Sequence, residues 1–421
     1  MYHSAYIVAR LNRLGPPPEV SHRLLNPESS LSRQNPLPVQ IAYNSPSMRV
    51  SSSTTVAVRS FAKINVGLYI GAARADGFHE LRTVYQTIAL HDVIRASVER
   101  AAERKAGRGS QIEIVCADKR VPLDSSNTCY RMAERVMEEL GASGQVRIEI
   151  DKRLPVQGGL GAASSNAVAT MIALERGLKK KLPALTRLQI AGEIGSDLPL
   201  FLVGGTVLGV GRGEEVYPLW DLPAMAMVVV TPEVGVSTPR AFADWDALAK
   251  SGAELRSPGQ RGASAPTRAS SGGGISAPAQ LTPPLPSDKL IEVGCALSAW
   301  LTGSGNTSSS PKISGYPNTG ASAKGGSRAG KLLSDLVRTG IENDFERVVF
   351  PKYPELRDIK GELERAGSRY ASLSGSGSTL YGLFRSPAEA ANAASRLRKR
   401  GLKAVATSTL TRQRYWTKIL D

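Results

Sequence analysis

The segment Leu154-Pro-Val-Gln-Gly-Gly-Leu-Gly-Ala-Ala-Ser-Ser-Asn166 constrains this chain more than any other. Before it, Val146, Ile148 and Ile150 alternate as in a half-buried strand, and after it Ala167, Met171, Leu174 and Leu178 recur at helical steps. The sequence therefore predicts a strand, a run of residues with almost no side chain, and a helix that begins near Ser164. Such a run lets backbone N–H groups approach an anion at the positive end of a helix dipole, and a phosphate suits that place. The run lacks the Gly-Lys-Ser/Thr of a Walker A loop and is not a G-x-G-x-x-G. Read alone, it is equally a tight strand-to-helix turn with a serine cap.

The rest of the chain bounds what surrounds that loop. Of its 421 residues, 41% are hydrophobic and none falls in an apolar stretch approaching the ~20 residues of a membrane-spanning helix. The three cysteines, Cys116, Cys129 and Cys295, are scattered, which excludes a disulfide framework or a Cys-rich zinc site and points to a reducing, cytoplasmic compartment. Residues 1–47 are rich in Pro, Ser and Asn without apolar periodicity, so they read as a disordered extension. Met48 stands just before the first strand as a second candidate start, and the arginines upstream leave a plastid transit peptide as a further reading. Residues 250–330 are built from Ser, Gly, Pro and Ala and read as a flexible insertion, with Lys289 to Leu301 compatible with a short helix. That insertion holds 8 basic against 3 acidic residues, hence 5 of the 16 excess positive charges, which weakens any case for a folded basic groove.

The remainder, about 290 residues, mixes strands and helices in both halves and is α+β. Val56, Val58, Ile64, Val66, Leu68 and Ile70 alternate, as do Ile112 and Ile114. Tyr130, Ala133, Val136 and Leu140 mark a helix, and Ser386-Pro387-Ala388-Glu389 is a capping box for another that Gly401 ends. Three further segments carry chemistry. In the strand Ser60-Phe-Ala-Lys-Ile-Asn-Val66, Lys63 and Asn65 share the face opposite the apolar residues. In Gly195-Ser-Asp-Leu-Pro-Leu-Phe201, Asp197 is either a helix N-cap or a buried carboxylate held beside a lysine. Leu373-Ser-Gly-Ser-Gly-Ser-Thr379 is a second small-residue loop able to approach a ligand closely.

Together these segments resemble the GHMP kinase superfamily, over roughly 56–249 and 331–410. Arg74-Ala-Asp-Gly-Phe-His-Glu-Leu81, following the Ala-Lys-Ile-Asn strand, narrows the resemblance to the branch acting on a cytidine diphosphate derivative of methylerythritol in the non-mevalonate isoprenoid route. Asn343-Asp-Phe-Glu346 also fits that family's C-terminal lobe. The resemblance implies two lobes, an N-terminal one like ribosomal protein S5 domain 2 at 48–215 and a ferredoxin-like one at 216–421, the latter carrying the insertion. It implies ATP and Mg²⁺, transfer to the substrate's 2-hydroxyl, no nucleic-acid partner, and a monomer or weak dimer.

By the same resemblance Asp197 would orient or deprotonate the acceptor hydroxyl, and Lys63 would pair with it and steady developing charge. Pro155, Gln157, Gly158, Gly159, Leu160, Gly161, Ala162, Ala163, Ser164 and Ser165 would hold ATP, with Asn127 near the adenine and Ser165 beside the magnesium. Asn65 would contact the diphosphate or erythritol, His79 would read the cytosine edge, and Phe78, Tyr85 and Phe242 would border the ring. His91 is expected to be structural. The family loop continues Gly-Leu-Gly-Gly-Gly-Ser-Ser, so Ala162 and Ala163 would be strained if their backbone needed φ > 0, whereas a helical first turn accepts alanine. Gln157 also replaces a small residue. The competing readings are another small-molecule kinase of the superfamily, indifferent to His79, and an RNA-binding protein on a ribosomal-protein-like fold.

Overall fold

The computed structural model describes residues 54–100, 110–254 and 341–420. The extension 1–47 and the short helix expected at 289–301 lie outside the described residues, as does nearly all of the insertion.

Two long strands organise the first lobe. β1 (Val56–Ala73) and β2 (His79–Arg100) form an antiparallel hairpin whose turn is closed by Gly77 at φ 82 and by the Asp76 carboxylate accepting from the Phe78 N–H. β2 then pairs with β4 (Gly144–Asp151) and with β5 (Thr206–Val210), giving the order β3-β4-β2-β5-β6, with β3 (Gln111–Cys116) parallel to β4 and β6 (Glu215–Pro218) at the far edge. The parallel pair needs a crossover, supplied by α1 (Thr128–Glu139), whose N-cap Asn127 accepts from the Cys129 N–H. Next come α2 (Ala162–Leu178), α3 (Ala184–Ile194) and α4 (Leu198–Val203).

α2 differs from the two-faced helix its spacing suggests. It is buried on nearly every side, including at Ala162, Ala167, Ala169 and Ala173, because it runs between the sheet and the other helices of the lobe. Small alanines let the strands and helices close around it.

The second lobe contains β7 (Ala226–Val230), α5 (Thr238–Glu254), α6 (Glu346–Lys352), α7 (Pro354–Arg365), β8 (Tyr370–Leu373), β9 (Leu380–Phe384), α8 (Pro387–Lys399) and β10 (Ala404–Ser408). Its antiparallel sheet, β10-β7-β9-β8, is the ferredoxin-like arrangement expected. Ser386 caps α8 by accepting from the Glu389 N–H, and Gly401, at φ 83, ends it. Two elements depart from the expected lobe boundary at 215/216, the first being β6, which stays paired with β5 in the first sheet as far as Pro218. α9 (Arg412–Lys418) returns to the first lobe, where Tyr415 and Ile419 join its core and the Tyr415 hydroxyl donates to Phe201 O at 2.7 Å.

The two sheets share a third core. Ala62, Ile64, Val66 and Ile88 of the hairpin pack with Met225, Met227, Val229, Tyr381 and Leu383 of the second lobe. Burying one such large side chain is worth about 1.5–3 kcal/mol. Because α2 and its loop cover the opposite face, β1 is buried on both sides from Ser60 to Ile70. Lys63 and Asn65, 3% and 1% exposed, therefore sit inside the molecule and not on an open strand face.

Candidate active site

The glycine loop is shaped by contacts at both ends. At its start Asp92, a fully buried carboxylate on β2, accepts from the N–H groups of Arg153 and Leu154, from Lys152 Nζ at 2.8 Å and from Asn166 Nδ2 at 3.0 Å. One side chain thus ties the exit of β4 to the first turns of α2. Sequence reasoning missed it, although an acid amid the apolar run Ile88-Ala-Leu-His-Asp-Val-Ile94 was the available signal. Further along, Gln157, Gly159 and Gly161 take φ of 58, 79 and 68. Gly161 is the N-cap of α2, so Ala162 and Ala163 lie in its first helical turn and carry none of the strain considered above. The strained substitution is Gln157, at about 1–3 kcal/mol for a non-glycine residue at positive φ.

The second small-residue loop, 374–379, approaches the first loop. Ser374 Oγ donates to Gly159 O at 3.0 Å and the Thr379 N–H donates to Gly158 O. A Cβ on Gly159 would stand 2.1 Å from Ser374 O, and one on Gly377 would stand 2.4 Å from Gly159 N. These glycines serve backbone nesting between the lobes. Asn343 supports the arrangement by donating to Leu373 O and Gly375 O, while Glu346 accepts from the Leu373 N–H.

A cavity of about 330 Å³ opens along the loop, lined by Pro155–Ser164 together with Asn127, Thr128, Lys152 and Asn166. All the residues expected to hold ATP line it except Ser165. That serine is 2% exposed, donates to Phe61 O and accepts from Ser60 Oγ, both at 2.7 Å, so its oxygen is turned into β1. Its expected place beside magnesium is corrected accordingly, and Ser164 is the hydroxyl on the cavity wall. No acid occupies the first turn of α2, so its N–H groups and dipole meet no competing carboxylate there. Asn127 also lines the cavity, but its amide is spent on the Cys129 N–H and on Pro122 O.

Beside the loop lies a charged pair. Lys63 Nζ stands 3.3 Å from Asp197 Oδ2 and donates to Asn65 Oδ1 at 2.7 Å, while its stem fits against Gly161, where an added Cβ would lie 3.0 Å from Lys63 Cγ. Asp197 precedes α4 but makes no capping hydrogen bond, which removes the simple N-cap reading. Its Oδ1 accepts from the Tyr85 hydroxyl at 2.9 Å, and its side chain is about one-third exposed. Burial and the adjacent carboxylate push the Tyr85 phenol well above its ordinary range, so it remains a donor.

Two expected substrate contacts are corrected by these bonds. Asn65 spends its amide on Lys63 and on Thr83 Oγ1, so it positions the lysine. Tyr85 is 2% exposed and serves Asp197, so it flanks no ligand ring.

At the other end of the hairpin, His79 and Phe242 stack with centroids 5.0 Å apart and 14° between planes, and His79 Nε2 is 2.7 Å from Asp246 Oδ1. Phe78 is half exposed beside them. Among the described residues His91 bonds Ala89 O and packs on Phe61, as a structural residue would.

Known proteins share this arrangement. The models for the GHMP kinases N terminal domain and GHMP kinases C terminal match residues 127–205 and 325–403. A 4-diphosphocytidyl-2-C-methyl-D-erythritol kinase of Solibacter usitatus is 33% identical over 80% of this chain and 83% of its own. The chain belongs to that kinase family. A crystal structure of 4-(cytidine 5'-diphospho)-2C-methyl-D-erythritol kinase superposes with a TM-score of 0.54 at 26% identity, covering 84% of this chain and 98% of the other. Mevalonate kinase of L. major, at 14% identity and TM-score 0.54 over 86% and 98%, shares the fold.

As a GHMP small-molecule kinase, the chain uses ATP. Among the described residues no three His, Cys, Asp or Glu side chains cluster as a metal cage, and no helix is long and apolar enough to cross a membrane. Ser164 puts one hydroxyl oxygen on the cavity wall, which fits a magnesium ion that arrives on nucleotide phosphates and keeps few protein ligands, as this ion commonly binds.

Proposed function

We propose that this kinase transfers the γ-phosphoryl group of ATP to the 2-hydroxyl of 4-diphosphocytidyl-2-C-methyl-D-erythritol, giving the 2-phosphate and ADP. The observation that carries the reading is the Lys63–Asp197 pair, held at 3.3 Å between the glycine loop and the His79–Phe242 stack of a chain in this family.

The phosphates of ATP lie along Gly158 to Ser164, where N–H groups and the α2 dipole offset their charge. Ser164 would help hold the Mg²⁺ that comes with the nucleotide, and the ion would offset part of the phosphate charge. Asp197 faces the acceptor hydroxyl, fixed through Oδ1 by Tyr85 and through Oδ2 by Lys63, and receives or orients its proton. Lys63, itself steadied by Asn65, offsets charge as the phosphoryl group moves. Little covalent work falls to the protein, so alignment and electrostatics supply most of the rate. His79, backed by the stacked Phe242 ring, reads the cytosine edge, and the half-exposed Phe78 offers a ring face to the base.

ADP release with the cytidine diphosphate substrate tests this directly. Wild type turns over, Asp197→Asn removes turnover, and His79→Ala raises KM for that substrate more than it lowers kcat. Folded wild type that binds ATP but forms no ADP with this substrate would refute the assignment.

A further inference from the structure

The substrate proposed above carries a diphosphate between cytidine and acceptor alcohol, and Lys63 is already committed to Asp197 and Asn65. A second cation stands between the two ends of the site. It belongs to the turn at 211–214 that joins β5 to β6.

One side of this turn meets the reacting end. Gly213, at φ 102, lies so close that an added Cβ would be 2.5 Å from the Tyr85 hydroxyl and 3.8 Å from Asp197 Oδ1. The other side meets the hairpin tip. The Leu81 N–H donates to Gly211 O at 2.6 Å, two residues beyond His79, and the Arg212 guanidinium carbon is 5.0 Å from the centroid of the Phe78 ring. Glu214 orients the arginine from behind, with Oε1 accepting from Arg212 Nε at 3.0 Å and Oε2 accepting from its backbone N–H at 2.7 Å. Among the described residues no hydrogen bond is made by the two terminal nitrogens, and the side chain is 31% exposed.

A guanidinium held at Nε by a carboxylate and laid on an aromatic face presents its outer N–H edge in a fixed direction. That edge suits bidentate contact with a phosphate. We propose that Arg212 binds the diphosphate of the cytidine substrate and so sets the spacing between the base reader and Asp197. The proposal rests on the cytidine reading of the site. Arg212 then selects a nucleoside diphosphate conjugate over a bare nucleoside.

The test is calorimetric binding of cytidine and of CDP, with the nucleotide cavity filled by a non-hydrolysable ATP analogue. Wild type should bind CDP more tightly than cytidine. Arg212→Gln should weaken CDP by roughly 10- to 100-fold, the range for a charge-assisted phosphate contact, while cytidine changes less than about two-fold. Arg212→Lys should recover part of the loss, because it keeps the charge without the fork. In turnover, Arg212→Gln should raise KM for the cytidine substrate and leave KM for ATP unchanged. Equal weakening of CDP and cytidine, or no weakening of either, would overturn the role of Arg212 and leave the cytidine site standing. Wild type that binds neither probe would overturn the cytidine reading itself and the assignment with it.

Discussion

Replacing Gly159 by alanine separates what the glycine loop needs for its own conformation from what the second lobe imposes on it. The residue sits at φ 79, and its missing Cβ would fall 2.1 Å from Ser374 O and 3.2 Å from Gly377 N. Gly401, at the end of α8, has nearly the same torsion, φ 83, with nothing within 4 Å of the equivalent Cβ. Gly401→Ala therefore meets only the left-handed backbone cost, about 1–2 kcal/mol. Gly159→Ala adds a clash with a backbone carbonyl, which must retreat by about 1.3 Å to reach the 3.4 Å of ordinary contact. Overpacking of this kind adds about 1–3 kcal/mol. At about 2 °C per kcal/mol for a chain this large, Gly159→Ala should melt about 2–6 °C below Gly401→Ala in parallel calorimetric scans. It should also weaken ATP binding, since Gly159 lines the cavity, whereas Gly401→Ala should bind ATP as wild type does. Equal melting of the two variants with unchanged ATP affinity would show that the nesting of the two loops constrains nothing.

Tyr85→Phe removes the donor to Asp197 Oδ1 while keeping the ring beneath Lys63, so kcat should fall about 10-fold, the value of one hydrogen bond to a charged group, with KM for ATP unchanged; a wild-type kcat would count against a positioning role. Asp92→Asn strands the buried Lys152 ammonium and should cost about 3–5 kcal/mol in urea unfolding, and a loss below 1 kcal/mol would contradict the hub drawn here. Burial pushes the Cys129 thiol from 9.0 up to about 12, so the folded state keeps a proton that the unfolded chain releases above pH 9. Its stabilising contribution is complete below pH 9 and declines between pH 9 and 12; Cys129→Ala should flatten that part of the stability profile, and an unaltered slope would refute the assignment.

Much of the site was legible because its residues are local in sequence. The strand, glycine loop and helix around 146–178 are encoded by alternation, small side chains and helical spacing, none of which depends on distant partners. The same holds for the capping box of α8 and for the placement of Lys63 and Asn65 on one face of β1. Ala162 was harder, since whether alanine is strained depends on a backbone torsion, and the N-cap fell at Gly161.

Tertiary structure decided what each polar atom faces. Periodicity placed Asn65 on the same face as Lys63 and the family resemblance placed Tyr85 near the site, but only the packing of β1 against β2 and α4 turned them toward Lys63 and Asp197. Ser165 belongs to the loop by sequence, yet the rotation of α2 aims its hydroxyl at Phe61 O. The glycines at 375 and 377 look ready for a ligand, and it is the other lobe that brings Gly158 and Gly159 against them. Asp92 is 62 residues from Leu154, the loop residue it holds, and Arg212 is 134 from Phe78. Sequence spacing fixes which face of an element a side chain occupies, and hydrogen-bond partners follow only once chain segments far apart are packed to within 3 Å.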